Sequence, residues 1–158
     1  MDHSDDDKMF ELQAFLPYRL AVVTDAVSQS VADLYRDRFD LTRAEWRILA
    51  SLGDKPDMTG KELSSYTTLD KMQVSRAVAR LEANGHVSRK ENSKDRRNKI
   101  LRLSEAGEAL LAQIIPLAKE REAFLLSALS EDEQKAYSQM NQKIYHQAQK
   151  LLTSDQGE

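Results

Sequence analysis

The stretch that decides the fold extends from Leu69 to Leu103 and reads LDKMQVSRAVARLEANGHVSRKENSKDRRNKILRL. In its first half the apolar residues recur at helical spacing, at Val74, Val78 and Leu81. Gly85 follows at the position where a helix commonly ends. Two short strand-like pieces, residues 86–90 and 99–103, then flank a loop rich in cations, and Val87, Ile100 and Leu101 give them their apolar content. This order predicts a helix followed by a two-stranded β-hairpin.

The positive charge of the chain is concentrated in this stretch. From Asp70 to Arg102, ten Lys and Arg residues stand against four Asp and Glu, which gives a local charge of +6. The whole chain carries −3, so the remaining residues sum to −9. A positive segment on an otherwise acidic chain indicates a polyanionic partner, and a merely solvated charged face is the alternative.

Helix-start motifs organise the rest of the chain around this stretch. Capping boxes begin at Thr42, Thr59 and Asp70, and they predict three helices joined by tight turns. Three such helices form a helix-turn-helix unit. A long apolar stripe lies upstream, at Leu16, Leu20, Val23, Val27, Val31 and Leu34. Downstream, Ser104 and Ser130 cap further helical segments, and Pro116 predicts a kink or interruption in the first of them.

We therefore expect a mainly α fold with a small β-hairpin wing. Residues 41–103 would form a winged helix-turn-helix DNA-binding domain, and residues 16–38 and 104–152 a helical dimerisation region drawn from both termini. A polar tail and lead-in, residues 1–15, and a short tail, residues 153–158, would flank them. The apolar faces of the terminal helices need each other or another chain, so we expect a homodimer.

Composition excludes several classes of function. The chain has 158 residues and no cysteine, which removes disulfides and thiolate metal sites. Its three histidines have no ligand partner at helical spacing, and no phosphate loop or nucleophile motif is present, so we expect no metal, no cofactor and no enzymatic activity. No apolar run approaches the roughly 20 residues that cross a bilayer. The acidic opening is unlike a secretory signal, so we expect a cytoplasmic protein with no membrane partner.

The polar side of the third helix has the chemistry to read bases, since Gln pairs with adenine, Arg with guanine and Ser with either kind of group. Cations at the hairpin tip suit a narrow minor groove. The predicted DNA-binding residues are Lys71, Gln73, Ser75, Arg76, Arg80, Lys94, Arg96, Arg97 and Lys99. For Arg80 the alternative is an ion pair with Glu82 or Asp70, or contact with a phosphate only. Asp95 would order the tip through local hydrogen bonds.

Three groups of residues then form a family pattern: Leu41-Thr42, Glu45-Trp46 and Leu49; Val74-Ser75-Arg76, Val78, Arg80, Leu81 and Gly85; Asp95-Arg96-Arg97, Leu101, Leu103, Ser104 and Gly107. With them, over about residues 16–152, the chain resembles the MarR (multiple-antibiotic-resistance regulator) family of winged helix-turn-helix transcription factors. The resemblance implies an obligate dimer on a pseudo-palindromic double-stranded operator, with Ser75 and Arg76 touching bases and Arg97 in the minor groove. It also implies repression relieved by a small aromatic acid, a drug or an oxidant. The oxidant branch uses cysteine and is excluded here.

Arg19 and Trp46 are the candidate ligand-binding residues. The resemblance suggests that Trp46 lines a cavity between the dimer region and the DNA-binding domain, and a core position is the alternative. Arg19 would hold an effector carboxylate or form a surface pair with Asp25 or Glu11. The predicted function is a sequence-specific regulator, a repressor released by a small aromatic or phenolic effector. A winged-helix module that binds DNA without sequence preference, or an acidic protein, without effector control, is the alternative.

Overall fold

Helices dominate the fold, and a small sheet is set among them. The computed structural model describes residues 10–95 and 98–154. Its elements in chain order are a 3₁₀ turn (Leu12–Ala14), α1 (Leu16–Phe39), α2 (Arg43–Asp54), β1 (Met58–Thr59), α3 (Gly60–Thr67), α4 (Lys71–Ala83), β2 (Val87–Lys90), β3 (Ile100–Leu103), α5 (Glu105–Leu126) and α6 (Glu131–Ser154). The expected mainly α fold with a small β wing is confirmed.

The chain divides into two compact units, of which the first ends at Ala118 and the second begins at Lys119. The first unit contains α1 to α4, the three strands and the N-terminal part of α5, and the second contains the remainder of α5 and α6. All the elements predicted to bind DNA therefore belong to the first unit. The boundaries of the predicted dimerisation region stay a prediction.

The sheet has three antiparallel strands in the order β1-β3-β2, where the sequence predicted a hairpin of two. Strands β2 and β3 form the expected hairpin, with Val87 opposite Leu103. The additional strand β1 pairs Met58 with Leu101. Because β1 has only two residues and follows a run of turn formers, no local pattern could reveal it. Burial of the Met58 side chain and an ion pair between the preceding Asp57 and Arg102, at 2.7 Å, hold it in place.

The core lies in the first unit, where the helices meet the sheet. Its fully buried side chains come from α2, α3, α4 and α5 and include Ile48, Leu49, Leu63, Leu81 and Ile114. The apolar stripe predicted for α1 enters this core only at its C-terminal end, where Leu34 is buried and Val31 is partly buried. Further upstream the stripe is exposed, at Leu16, Leu20, Val23 and Val27. One half of the stripe thus stabilises the fold and the other half is available for association.

Helix α5 passes through Pro116 without interruption and ends at Leu126. The interruption that the sequence suggested at this proline is absent, because the loss of one backbone N–H does not outweigh the hydrogen bonds on either side of it. Pro116 itself is exposed, so its ring does not disturb the core.

A tight junction joins the end of α4 to the wing and to α5. Gly85 ends α4 with a φ of +74°, and the Ser104 hydroxyl donates to its carbonyl oxygen at 2.5 Å. The same hydroxyl oxygen accepts from the N–H of Gly107 at 3.0 Å, which caps α5. The Ser104 N–H donates to the carbonyl oxygen of His86 at 3.0 Å. One short side chain therefore sets the relative positions of three elements.

We predict that Gly107→Ala destabilises the protein. A Cβ atom at this position would lie 2.0 Å from the carbonyl oxygen of His86, so α5 would have to move away from the wing. The free energy of unfolding should fall by about 1–3 kcal/mol, the usual cost of overpacking, as measured by urea denaturation. Gly60→Ala is the matched control, because a Cβ there meets nothing within 4 Å. Equal losses in both variants would contradict the close packing at Gly107.

Candidate nucleic-acid interface

Helices α3 and α4 each begin with a capping box. At α3 the Thr59 N–H donates to the carboxylate of Glu62 at 2.7 Å, and the Glu62 N–H donates back to the Thr59 hydroxyl at 3.3 Å. The hydrogen bonds that the Thr59 N–H and the Thr59 hydroxyl donate to this carboxylate lower the pKa of Glu62. At α4 the Asp70 carboxylate accepts from the N–H of Gln73 at 2.8 Å. The orientation of α4 is therefore set at its first turn, where a recognition helix contacts base edges.

Helix α4 separates its side chains onto two faces. The buried face consists of Val74, Ala77, Val78 and Leu81. The opposite face, here called the exposed face of α4, consists of Met72, Ser75, Arg76 and Ala79, with Lys71 at its edge. The spacing of three or four residues places the exposed face in one stripe along the helix. The predicted base-reading residues Ser75 and Arg76 both lie on it.

Gln73 already has an interaction within α4. Its side-chain oxygen Oε1 accepts the N–H of Asp70 at 3.0 Å and so completes the capping box. A two-pronged pairing with adenine needs both the oxygen and the amide nitrogen of the side chain. Gln73 would have to leave the capping box to read a base in this way. The DNA contact assigned to Gln73 stays a prediction, and its role in fixing the start of α4 is established.

Arg80 connects α4 to the start of α2. Its guanidinium lies 3.2 Å from the carboxylate of Glu45 and 3.1 Å from that of Asp40. Glu45 is only 1% exposed and also accepts the N–H of Thr42 at 2.7 Å in the capping box of α2. The partners considered from sequence, Glu82 and Asp70, are not used, since residues two apart on a helix do not face each other and Asp70 caps α4.

The basic stretch contains both paired and unpaired cations. Four of the eight that the structure describes form ion pairs: Arg80 as above, Arg89 with Glu82, Lys99 with Glu91, and Arg102 with Asp57. The Arg102 hydrogen bond lowers the pKa of the Asp57 carboxyl group. Within residues 10–95 and 98–154, no ion pair involves the other four, which are Lys71, Arg76, Lys90 and Lys94. The predicted contacts Arg96 and Arg97 lie outside the described residues.

A groove of about 540 Å³ lies between α3, α4 and the wing. Its walls carry four cationic side chains, those of Lys61, Lys71, Arg89 and Lys99, together with the hydroxyls of Ser64, Ser65 and Ser75. At the end of the wing, the Asn98 side chain donates to the carboxylate of Asp95 at 2.7 Å. The role of Asp95 in ordering the tip stays a prediction. The groove shares Ser75 and Lys71 with the exposed side of α4, and its cationic and hydroxyl side chains suit a polyanion.

A second cavity, of about 280 Å³, lies between α1 and α2 and is lined by Tyr35, Arg36, Asp40, Arg43 and Arg80, among others. Burial raises the pKa of the Tyr35 hydroxyl. Trp46 does not line this cavity but stacks on Tyr35, with ring centroids 6.1 Å apart. Arg19 is exposed and also does not line it, and Asp25, one of its two expected surface partners, accepts a hydrogen bond from Gln29 instead. The ligand roles of Arg19 and Trp46 stay predictions.

Within the described residues, no helix is both long and apolar enough to span a bilayer. The same residues contain no cluster of three or more His, Asp or Glu side chains that could hold a metal ion.

Sequence comparison with known proteins identifies helix-turn-helix regulators, in agreement with the fold described above. The sequence profile of the MarR family matches residues 39–98, from the end of α1 into the wing. An uncharacterised helix-turn-helix transcriptional regulator of Bacillus cereus is 31% identical over 125 residues, which are 78% of this chain and 82% of the relative. The chain belongs to the MarR family. It is a DNA-binding transcriptional regulator rather than an enzyme.

Solved structures of MarR-type regulators share the fold. A MarR/EmrR family transcriptional regulator from Acinetobacter sp. ADP1 superposes with a TM-score of 0.81 at 24% identity, over 89% of this chain and 99% of that one. BpsR of Bordetella bronchiseptica, whose DNA binding is regulated by 6-hydroxynicotinic acid, superposes with a TM-score of 0.78 at 20% identity, over 86% and 96%. The winged-helix architecture of this MarR-family member is therefore confirmed by structure as well as by sequence.

We predict that Arg80→Ala lowers the stability of the protein. The substitution removes the guanidinium that faces the buried Glu45 carboxylate, so the free energy of unfolding should fall by about 1–3 kcal/mol, the cost of a buried group left without its partner. Urea denaturation followed by circular dichroism measures the change. Arg76→Ala, on the same helix but without an ion pair to a buried carboxylate, is the control and should stay within about 0.5 kcal/mol of the wild type. Equal stability of the two variants would show that the Arg80–Glu45 pair contributes nothing.

Proposed function

We propose that this MarR-family protein is a sequence-specific repressor that binds a pseudo-palindromic operator as a homodimer and leaves it when a small aromatic acid binds. The observation that carries the proposal is the distribution of unpaired cations. Among the described residues of the basic stretch, those without an ion pair lie on the exposed side of α4 and on the wing, at Lys71, Arg76, Lys90 and Lys94. Cations that are not held in an ion pair remain available to phosphates and bases.

In this proposal α4 enters the major groove and the wing follows the neighbouring backbone. Arg76, at the middle of the exposed face of α4, pairs with guanine through its two-pronged guanidinium, and Ser75 accepts or donates one hydrogen bond beside it. Lys71 and Lys94 contact phosphates, and Arg97 enters the minor groove. Arg80, which is paired within the protein, holds α4 in position and contributes less to DNA than the sequence alone predicted.

The homodimer rests on the exposed apolar faces of the long helices. Helix α1 has 24 residues and is about 36 Å long, and its N-terminal half exposes a stripe of four large apolar side chains. Helix α6, also 24 residues long, exposes Tyr137, Met140, Ile144, Tyr145, Leu151 and Leu152. Faces of this size on both helices favour burial against a second copy. A two-fold dimer would also present two copies of α4 to the two half-sites of a palindrome.

The effector site in this proposal is the cavity between α1 and α2. Its volume of about 280 Å³ suits one small aromatic ring, with Tyr35 as the apolar wall and Arg43 as the partner for a carboxylate. Arg80 and Asp40 line the same cavity, so an anion there competes with Asp40 and Glu45 for the Arg80 guanidinium. That competition would release α4 from α2. The regulation of BpsR by 6-hydroxynicotinic acid supports an acid of this class. A protein acting on the chromosome in this way resides in the cytoplasm.

We predict that fragments selected from a random duplex pool contain two half-sites about one helical turn apart, as expected for a two-fold dimer. The selected duplex should bind at least ~10³ times more tightly than random duplex, measured by competition in a mobility-shift assay. A ratio near one would favour a module that compacts DNA without sequence preference, and failure to bind either duplex would favour an acidic protein partner.

Two variants separate base reading from phosphate binding in the same assay. Arg76→Ala should weaken operator binding by about 1–3 kcal/mol and relax the preference at one base position per half-site. Lys94→Ala should weaken binding equally on all sequences and reduce the dependence of affinity on salt. Equal loss on every sequence for Arg76→Ala would make it a phosphate contact instead.

We predict that the fluorescence of Trp46 changes when benzoate or 6-hydroxynicotinic acid binds. Trp46 is the only tryptophan, and it stacks on Tyr35, which lines the cavity. The same titration should release the operator. Arg43→Ala should abolish both responses, whereas Arg19→Ala should leave them intact if the cavity is the site. The reverse result would support the role of Arg19 predicted from sequence, and no response to either acid would contradict regulation by small aromatic acids.

A further inference from the structure

The exposed face of α4 contains one side chain that neither the fold nor the predicted DNA contacts explain. Met72 is 61% exposed and is the single large apolar side chain exposed on α4, which the structure describes completely. The buried face of the helix consists of Val74, Ala77, Val78 and Leu81, so Met72 points away from the core. The core therefore gains little from a methionine at this position.

The position of Met72 relates it to the residues that read DNA. Met72 precedes Ser75 by three residues and Arg76 by four, so the three side chains are neighbours on one face of the helix. Met72 also lies in the first turn of α4, because the helix begins at Lys71. The first turn of a recognition helix is the part that reaches deepest toward base edges.

The capping box of α4 engages the side chain next to Met72, so fewer side chains of the first turn are available to contact a base. Gln73, the neighbouring residue in this turn, uses its side-chain oxygen to accept the N–H of Asp70. Lys71 lies at the edge of the exposed face, beside the buried side of the helix, rather than at its centre. At the N-terminal end of the exposed face, the side chain presented to the groove is therefore that of Met72.

We infer that Met72 is a specificity-determining residue that recognises thymine through its 5-methyl group. This inference rests on the proposed function. The thymine methyl is the apolar group that base pairs display on the major-groove edge, and apolar side chains recognise thymine by contact with it. A methionine suits such a contact because its unbranched, polarisable side chain adapts to the surface that it meets. Contact between two apolar groups removes both from water and needs no hydrogen bond.

Replacement of thymine by deoxyuridine tests this contact, because the two bases differ only by the methyl group. Each thymine of the selected operator duplex is replaced in turn, in both half-sites, and affinity is measured for the wild type and for Met72→Ala. At one position per half-site the wild type should lose about fourfold in affinity, the effect of taking one methyl group out of apolar contact. Met72→Ala should bind the unmodified operator more weakly and show no further loss at that position.

Controls separate this contact from general weakening. Lys71→Ala should retain the deoxyuridine effect, since it lacks only a phosphate contact, and Met72→Leu should retain part of it. Thermal unfolding checks that Met72→Ala is folded, which its exposure leads us to expect. A wild type insensitive to every replacement would overturn the inference, as would a Met72→Ala variant that keeps the full sensitivity. A wild type with no preference for the operator over random duplex would overturn the proposed function itself, and this inference with it.

Discussion

The arrangement of the helix-turn-helix unit depends on the interactions of the buried carboxylate of Glu45. Its oxygens accept the N–H of Thr42 and face the guanidinium of Arg80, so one group both starts α2 and holds α4 against it. A charge removed from water is costly unless it is paired and hydrogen-bonded. Glu45 is 1% exposed, and this geometry meets both conditions. These directional contacts fix the position of α4 relative to the start of α2. Apolar packing alone would fix the orientation of the helix less well, because it is not directional.

A second constraint acts at the other end of α4, where the chain enters the wing. Ser104 bonds to both Gly85 and Gly107, and α5 approaches the backbone of His86 so closely that only a glycine fits. The ion pair between Arg89 and Glu82, at 2.8 Å, adds a direct link between β2 and α4. These contacts connect α4 directly to the wing and to α5, so they fix the distance between the helix and the start of the wing.

Some cations of the basic stretch form ion pairs within the protein and others do not, and the residue type alone does not tell which. Arg80, Arg89 and Arg102 stabilise the contacts between elements, and Lys99 pairs across the hairpin with Glu91. Within residues 10–95 and 98–154, no ion pair involves the other four cations, which are Lys71, Arg76, Lys90 and Lys94. The local charge of +6 therefore does not tell which of these cations are held in ion pairs within the protein.

The sequence by itself determined the order of the helices, their starting points, the helix–wing sequence and the family. These features depend on local rules: a Thr or Asp with Glu or Gln three residues later, apolar residues at helical spacing, and turn residues between two short apolar pieces. The buried and exposed sides of α4 followed from the same spacing. The tertiary structure alone decided what depends on contacts between residues far apart in the chain. It paired Arg80 with Glu45 and Asp57 with Arg102, it added Met58 to the sheet, and it buried only one end of the α1 stripe. No local pattern in the sequence determines the partner in such a pairing. The energy of each contact also depends on burial, which exists only after the chain has folded.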